Sequence, residues 1–176
     1  MEIEPDTKDW TWVLQRPCGE CGFDTSSFAR DAMAGMIRDN GSAWELVLEA
    51  GDVRTRPAPA VWSPLEYGCH VRDVFRLYDY RLGLMLSQDD PMYPNWDQDE
   101  TAVRDRYAEQ DPARVQVEVV EAAQGLADQI DSVAGDTWQR PGRRSDGANF
   151  TVESIARYML HDVVHHLHDV TGRSRT

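Results

Sequence analysis

Apolar residues recur at helical spacing over long stretches of this chain, and almost nowhere alternate with polar ones as a half-buried strand requires. Asp24, Thr25 and Ser26 offer cap residues for a first helix, in which Phe28, Ala32, Met36 and Ile37 share a face. Asn40 and Gly41 interrupt it, and Trp44, Leu46, Val47 and Leu48 resume the run up to Gly51, which predicts one long helix kinked or briefly broken at the Asn-Gly pair. The second helix has the sharpest start. Ser63 is its N-cap, Pro64 its first helical position and Glu66 the third, with Trp62 and Tyr67 placed as a hydrophobic staple. It should run to about Ser87, with Val71, Val74, Tyr78 and Met85 on one face.

A long connection over residues 88–100 carries Pro91, Pro94 and Trp96. Asp111 and Pro112 then open a third helix through Val115, Val119, Ala122, Leu126 and Ile130 to about Gly135. Residues 140–147 read as a polar loop. Thr151 caps the last helix, with Phe150 and Ile155 as its staple, and Val152, Ala156, Met159, Val163 and Leu167 lead to Gly172. The predicted architecture is all-α: a four-helix bundle with long connections over residues 24–172, preceded by a short extended arm over residues 1–23.

At 176 residues, 41% hydrophobic and 28% charged, the chain suits one globular domain and neither disorder nor a disulfide-stapled miniature. No apolar run spans a membrane, and the acidic start Met1-Glu2-Ile3-Glu4 lacks a signal-peptide core, so a cytoplasmic location is expected. The formal charge of -13 opposes phosphate backbones and anionic lipid, which makes nucleic acid and membrane unexpected partners. Lys8 is the only lysine; the arginine bias fits a GC-rich, actinobacterium-like genome. Cys18, Cys21 and Cys69 are an odd number of cysteines without a secretion signal, and free thiols are expected. Cys18-Gly19-Glu20-Cys21 has CxxC spacing but no second pair. A structural loop is the expected reading, against half of an intermolecular zinc site or a redox pair.

Four of the five histidines fall in the last helix, at His161, His165, His166 and His168, and the fifth is His70. Residues four apart share a helix face, so His161 with His165, or Asp162 with His166, could hold one metal with His70 as a third ligand. Solvated imidazoles are the alternative. The stretch from Trp62 to Asp73, with Tyr158 to Val170, resembles the DinB-like superfamily, which includes mycothiol-dependent maleylpyruvate isomerases and bacillithiol transferases. The likeness runs from about Phe23 to Val170 in helix order as well as motif.

That resemblance implies a bundle with one divalent metal, zinc or nickel, held by a histidine of the second helix and two ligands four apart on the last. His70 matches the first ligand. Asp162, His166 and Asp169 match the last-helix frame better than His161, His165 and His168, although Asp162 is shorter than the family's usual Glu or His. It further implies a metal-activated low-molecular-weight thiol, mycothiol in such a source, attacking a small electrophile, and a homodimer. A non-catalytic metal-binding module is the alternative. A helical wheel centred on Val163 puts His166 at about 60° and Asp162 at about 100° from the core direction, and His161 and His165 at about 160°, on the solvent side. Metal ligation by His70, Asp162 and His166 is therefore expected, with His161 and His165 left to solvent. Cys69 is expected to be a buried, inert thiol, and Arg143 with Arg144 either a solvated pair or a contact for an anionic ligand. The large aromatics read as core.

Overall fold

The computed structural model describes residues 9–172; the first part of the expected arm and the last four residues lie outside the described residues. Four long helices form the bundle: α1 (Met33–Leu48), α2 (Pro64–Ser87), α4 (Pro112–Asp131) and α5 (Val152–Thr171). A short α3 (Gln98–Arg104) lies in the connection between α2 and α4. α4 packs extensively against α1 and α2, and α5 against the same two helices. Val71, Val74, Phe75, Val119, Leu126, Met159, Leu160 and Val163 are buried where these faces meet.

The local signals for α2 act as read. The Ser63 side chain accepts from the Glu66 amide, the Glu66 carboxylate accepts from the Ser63 amide at 2.8 Å, and Pro64 occupies the first turn. Trp62 and Tyr67 meet edge to face at 5.5 Å, closing the staple. At the other end Arg140 donates to the Met85 and Gln88 carbonyls, at 2.7 and 2.6 Å, satisfying groups the helix cannot pair internally. Thr151 caps α5 in a reciprocal box with Ser154, and Gly172 ends it in the left-handed conformation at φ 61°.

Four expectations need correction. The first helix begins at Arg30 as a 3-10 turn and becomes α-helical at Met33, because Asp24 uses its carboxylate on the Ser26 amide and hydroxyl in a local turn. No break occurs at Asn40 and Gly41: Gly41 lets α4 approach closely, and buried Asn40 donates to the Val163 carbonyl of α5 at 3.0 Å. The polar loop is a hairpin, β2 (Pro141–Arg144) and β3 (Asn149–Thr151), turning at Gly147 with φ 98°. β1 (Met92–Tyr93) adds in parallel to β2, and Gly142 lies so close to Met85 that a Cβ there would fall 2.7 Å from its side chain. The arm is not extended throughout: residues Thr11–Leu14 make one 3-10 turn, and the arm folds back onto α5.

Candidate metal centre

The capped start of α2 sets the position of His70, one helical turn beyond Glu66 and therefore inside the bundle. Its ring lies parallel to Trp96, with centroids 5.3 Å apart, and against Trp62 at 5.1 Å. Neither ring nitrogen makes a hydrogen bond. Nε2 faces Asp162 Oδ1 of α5 at 3.6 Å, too long for one. Burial holds the His70 pKa below the ordinary imidazole value despite the Asp162 carboxylate.

On α5, Asp162 Oδ1 also meets His166 Nε2 at 3.0 Å, and the other His166 nitrogen meets Asp169 Oδ2 at 3.1 Å. Burial would lower the His166 pKa, but the two carboxylates outweigh it and hold the ring up at about 9. Burial would likewise raise Asp162, yet His166 and His70 keep it well below the usual carboxylate range. His70, Asp162 and His166 thus bring one donor atom each to within 4.8 Å of one another. This is the trio expected from the sequence. An arrangement that favours a proton between two carboxylates also favours a cation, and the unpartnered His70 nitrogens supply the missing donor.

Asp162 and His166 line an open cleft of about 1410 Å³, and His70 lies fully buried beside them. Trp62, Tyr67, Trp96 and Tyr158 form apolar walls; Arg81 and Arg144 add guanidinium groups. Tyr67 packs against His166 at 5.2 Å. Trp62 and Trp96 are therefore more than core aromatics, since they sheath a candidate ligand. Position along the chain could not reveal this for Trp96, which comes from an irregular connection. Arg144 is tied to Asp146 at 2.9 Å and covers the Phe150 and Tyr158 rings, whereas Arg143 pairs with Asp90 at the surface. Cys69 is buried with its thiol pushed up to about 12 by burial, as expected for an inert core residue.

His161 and His165 do not face solvent: they are 4% and 9% exposed. The wheel located them correctly away from the bundle axis, but the arm covers that side. Trp10 packs on both rings, at 5.6 and 5.4 Å, and Cys18 and Cys21 are buried beside them.

No helix among the described residues is long and apolar enough to cross a membrane. No curated protein matches the sequence. Among solved structures, YfiT from Bacillus subtilis, described as a probable metal-dependent hydrolase with an unusual four-helix bundle topology, superimposes with a TM-score of 0.76 at 14% identity, over 84% of this chain and 88% of its own. At that identity the likeness establishes the bundle fold. The sequence model of the DinB superfamily matches residues 43–170, which include α2, α4, all but the last residue of α5 and all three clustered donors, and the chain belongs to that superfamily.

Proposed function

We propose that this protein is a metal-dependent thiol transferase or isomerase, with His70, Asp162 and His166 holding one divalent cation, zinc or nickel. The observation that carries the reading is His70, a buried imidazole whose two nitrogens lack hydrogen bonds and whose Nε2 is turned toward a carboxylate and a second histidine. An unpaired buried polar group costs about 1–3 kcal/mol, so its retention beside two donors of the cleft wall calls for a ligand. Two imidazoles and a carboxylate suit zinc or nickel and leave coordination positions open toward the cleft. A cation held there supplies Lewis acidity that lowers the pKa of an incoming thiol.

The remaining work falls to the chain. Asp169 accepts a hydrogen bond from His166 Nδ1–H and so turns Nε2 toward the site. Trp62 and Trp96 keep water from His70. Arg81 can meet an anionic group on a substrate, whereas the Arg144 charge is already matched by Asp146. The cleft, at about 1410 Å³, exceeds the roughly 300–1,000 Å³ typical of single small-molecule sites, which supports a thiol such as mycothiol lying beside an electrophile. Hydrolysis is the second reading, favoured by the description of YfiT as a probable metal-dependent hydrolase. Protein loaded with zinc or nickel should consume mycothiol with monochlorobimane faster than metal-stripped protein, and His70→Ala should remove the difference. A metal-dependent rate on esters or amides without thiol would move the assignment to hydrolysis; no metal-dependent rate with either refutes the enzymatic reading.

A further inference from the structure

Outside this trio, four further metal-binding side chains converge. Cys18 and Cys21 of the arm meet His161 and His165 of α5, with one donor atom from each inside 4.8 Å and all four residues buried. We infer that they form a second, closed metal site that takes one zinc ion and fastens the N-terminal arm to α5.

The chemistry is that of a Cys2His2 set, a CxxC turn joined to two histidines one helical turn apart. The CxxC lacks a nearby second half in sequence because that half lies 147 residues further along the chain, from Cys18 to His165, and only the fold brings it close. Cys18 Sγ and His165 Nδ1 are 3.7 Å apart. A tetrahedral zinc, with Zn–S of about 2.3 Å and Zn–N of about 2.0–2.1 Å, asks for about 3.6 Å between such a sulfur and nitrogen. The pair is therefore already at ligand-to-ligand spacing. His161 Nε2 is buried and makes no hydrogen bond.

The surroundings fit as well. Gly22 follows the second cysteine at φ 73°, a conformation that favours glycine, and its amide donates to the Cys18 carbonyl at 2.9 Å. This tight turn brings both sulfurs to one side, where their donor atoms lie within 4.8 Å of those of His161 and His165. With Nδ1 toward Cys18, the far nitrogen of His165 faces Glu20 at 3.4 Å and Asp169 at 3.7 Å. A carboxylate behind a ligating histidine is the usual means of fixing its ring and tautomer. Two thiolates would balance the charge of zinc, and four protein donors leave no position for substrate, so the role is structural. The arm so fastened contributes Trp10, Leu14 and Glu20 to the cleft wall, which makes the clamp part of the cleft's construction.

Cobalt substitution and metal counting test this separately from the function of the other site. Wild-type protein loaded with cobalt should show thiolate-to-cobalt charge-transfer absorption in the near ultraviolet, which the His70, Asp162 and His166 donors cannot produce. Cys18→Ser with Cys21→Ser should abolish the band and remove one zinc equivalent, whereas His70→Ala should keep the band. If the double variant fails to fold, thiol labelling of wild-type protein remains decisive: Cys18 and Cys21 should be protected with zinc and label after chelation. Cobalt bound without the band, labelling indifferent to chelator, or a Cys18–Cys21 disulfide in freshly purified protein would each overturn the assignment.

Discussion

The Asn-Gly pair in α1 offers a quantitative check on how the bundle is packed. A Cβ added to Gly41 would lie 2.5 Å from the Ala123 Cβ of α4, with the Val119 carbonyl at 3.7 Å and the Val120 Cα at 3.8 Å. Carbon atoms sit comfortably at about 3.5–4.0 Å, so Gly41→Ala asks the two helices to separate by about 1 Å. Neither methyl has a torsion with which to escape. α1 and α4 share an extensive contact in the bundle, so the shift also loosens the neighbouring pairs. Overpacking of this kind costs about 1–3 kcal/mol, while replacing glycine by alanine inside a helix returns about 1 kcal/mol.

The expected net loss is about 0–2 kcal/mol, a fall in Tm of up to roughly 8 °C for a chain of this size. Thermal and urea melts followed by circular dichroism would measure it. Gly125→Ala is the control, an exposed position on α4 with nothing within 4 Å of the added Cβ, and it should stabilise by about 0.5–1 kcal/mol. Combining Gly41→Ala with Ala123→Gly should recover most of the loss, because the pair merely exchanges which helix carries the methyl. A more stable Gly41→Ala protein, or a double variant no better than the single, would refute the close approach and reinstate a loosened segment in α1.

Further outcomes follow from the site and its supports. Asp169→Asn should weaken the metal affinity of the His70, Asp162 and His166 trio by roughly 10–100-fold without unfolding the chain, measured by competition with a chelator. Glu66→Gln removes the charge that binds Arg56, and should lower stability at pH 7 by about 1–2 kcal/mol. Burial would raise the Glu66 pKa, but Arg56 and the Ser63 groups outweigh it and hold it below the usual range. Its stabilisation is therefore present above the unfolded carboxylate pKa of about 4.3 and lost as pH falls through the lower folded value, so urea midpoints of the two proteins should converge in acid. Cys69, buried and with its pKa pushed up to about 12, should resist alkylation in native protein and react only on unfolding.

What could be read from sequence follows the range of each interaction. The start of α2 was legible because Ser63, Pro64 and Glu66 satisfy one another within four residues, and Thr151 does the same for α5. Asp24 misled because its cap-like side chain is consumed by Ser26 before any helix begins. Asn40 and Gly41 misled for the opposite reason: local punctuation is overridden by partners on α4 and α5 that no window of sequence contains. The hairpin of β2 and β3 escaped notice because its strands are short, and the packing of Gly142 on Met85 depends on the end of a distant helix.

The donor residues themselves show where helical periodicity stops being sufficient. One residue of offset turns a helix position by about 100°, so His161 with His165 and Asp162 with His166 must face different neighbours. That much was available from the wheel, which turned the second pair toward His70, and the structure brings one donor atom of each to within 4.8 Å of the others. A wheel gives directions relative to the bundle axis, however, and cannot say whether a segment outside the helices covers the far side. Here the arm does so, carrying Trp10, Cys18 and Cys21 onto α5. The two donor sets then share a boundary at Asp169, whose carboxylate lies 3.1 Å from His166 and 3.7 Å from His165. Any rotation of α5 that improved one set would draw donors away from the other. With both proposed sites loaded, the register of this helix would be held from both sides, by α2 through His70 and by the arm through its cysteines.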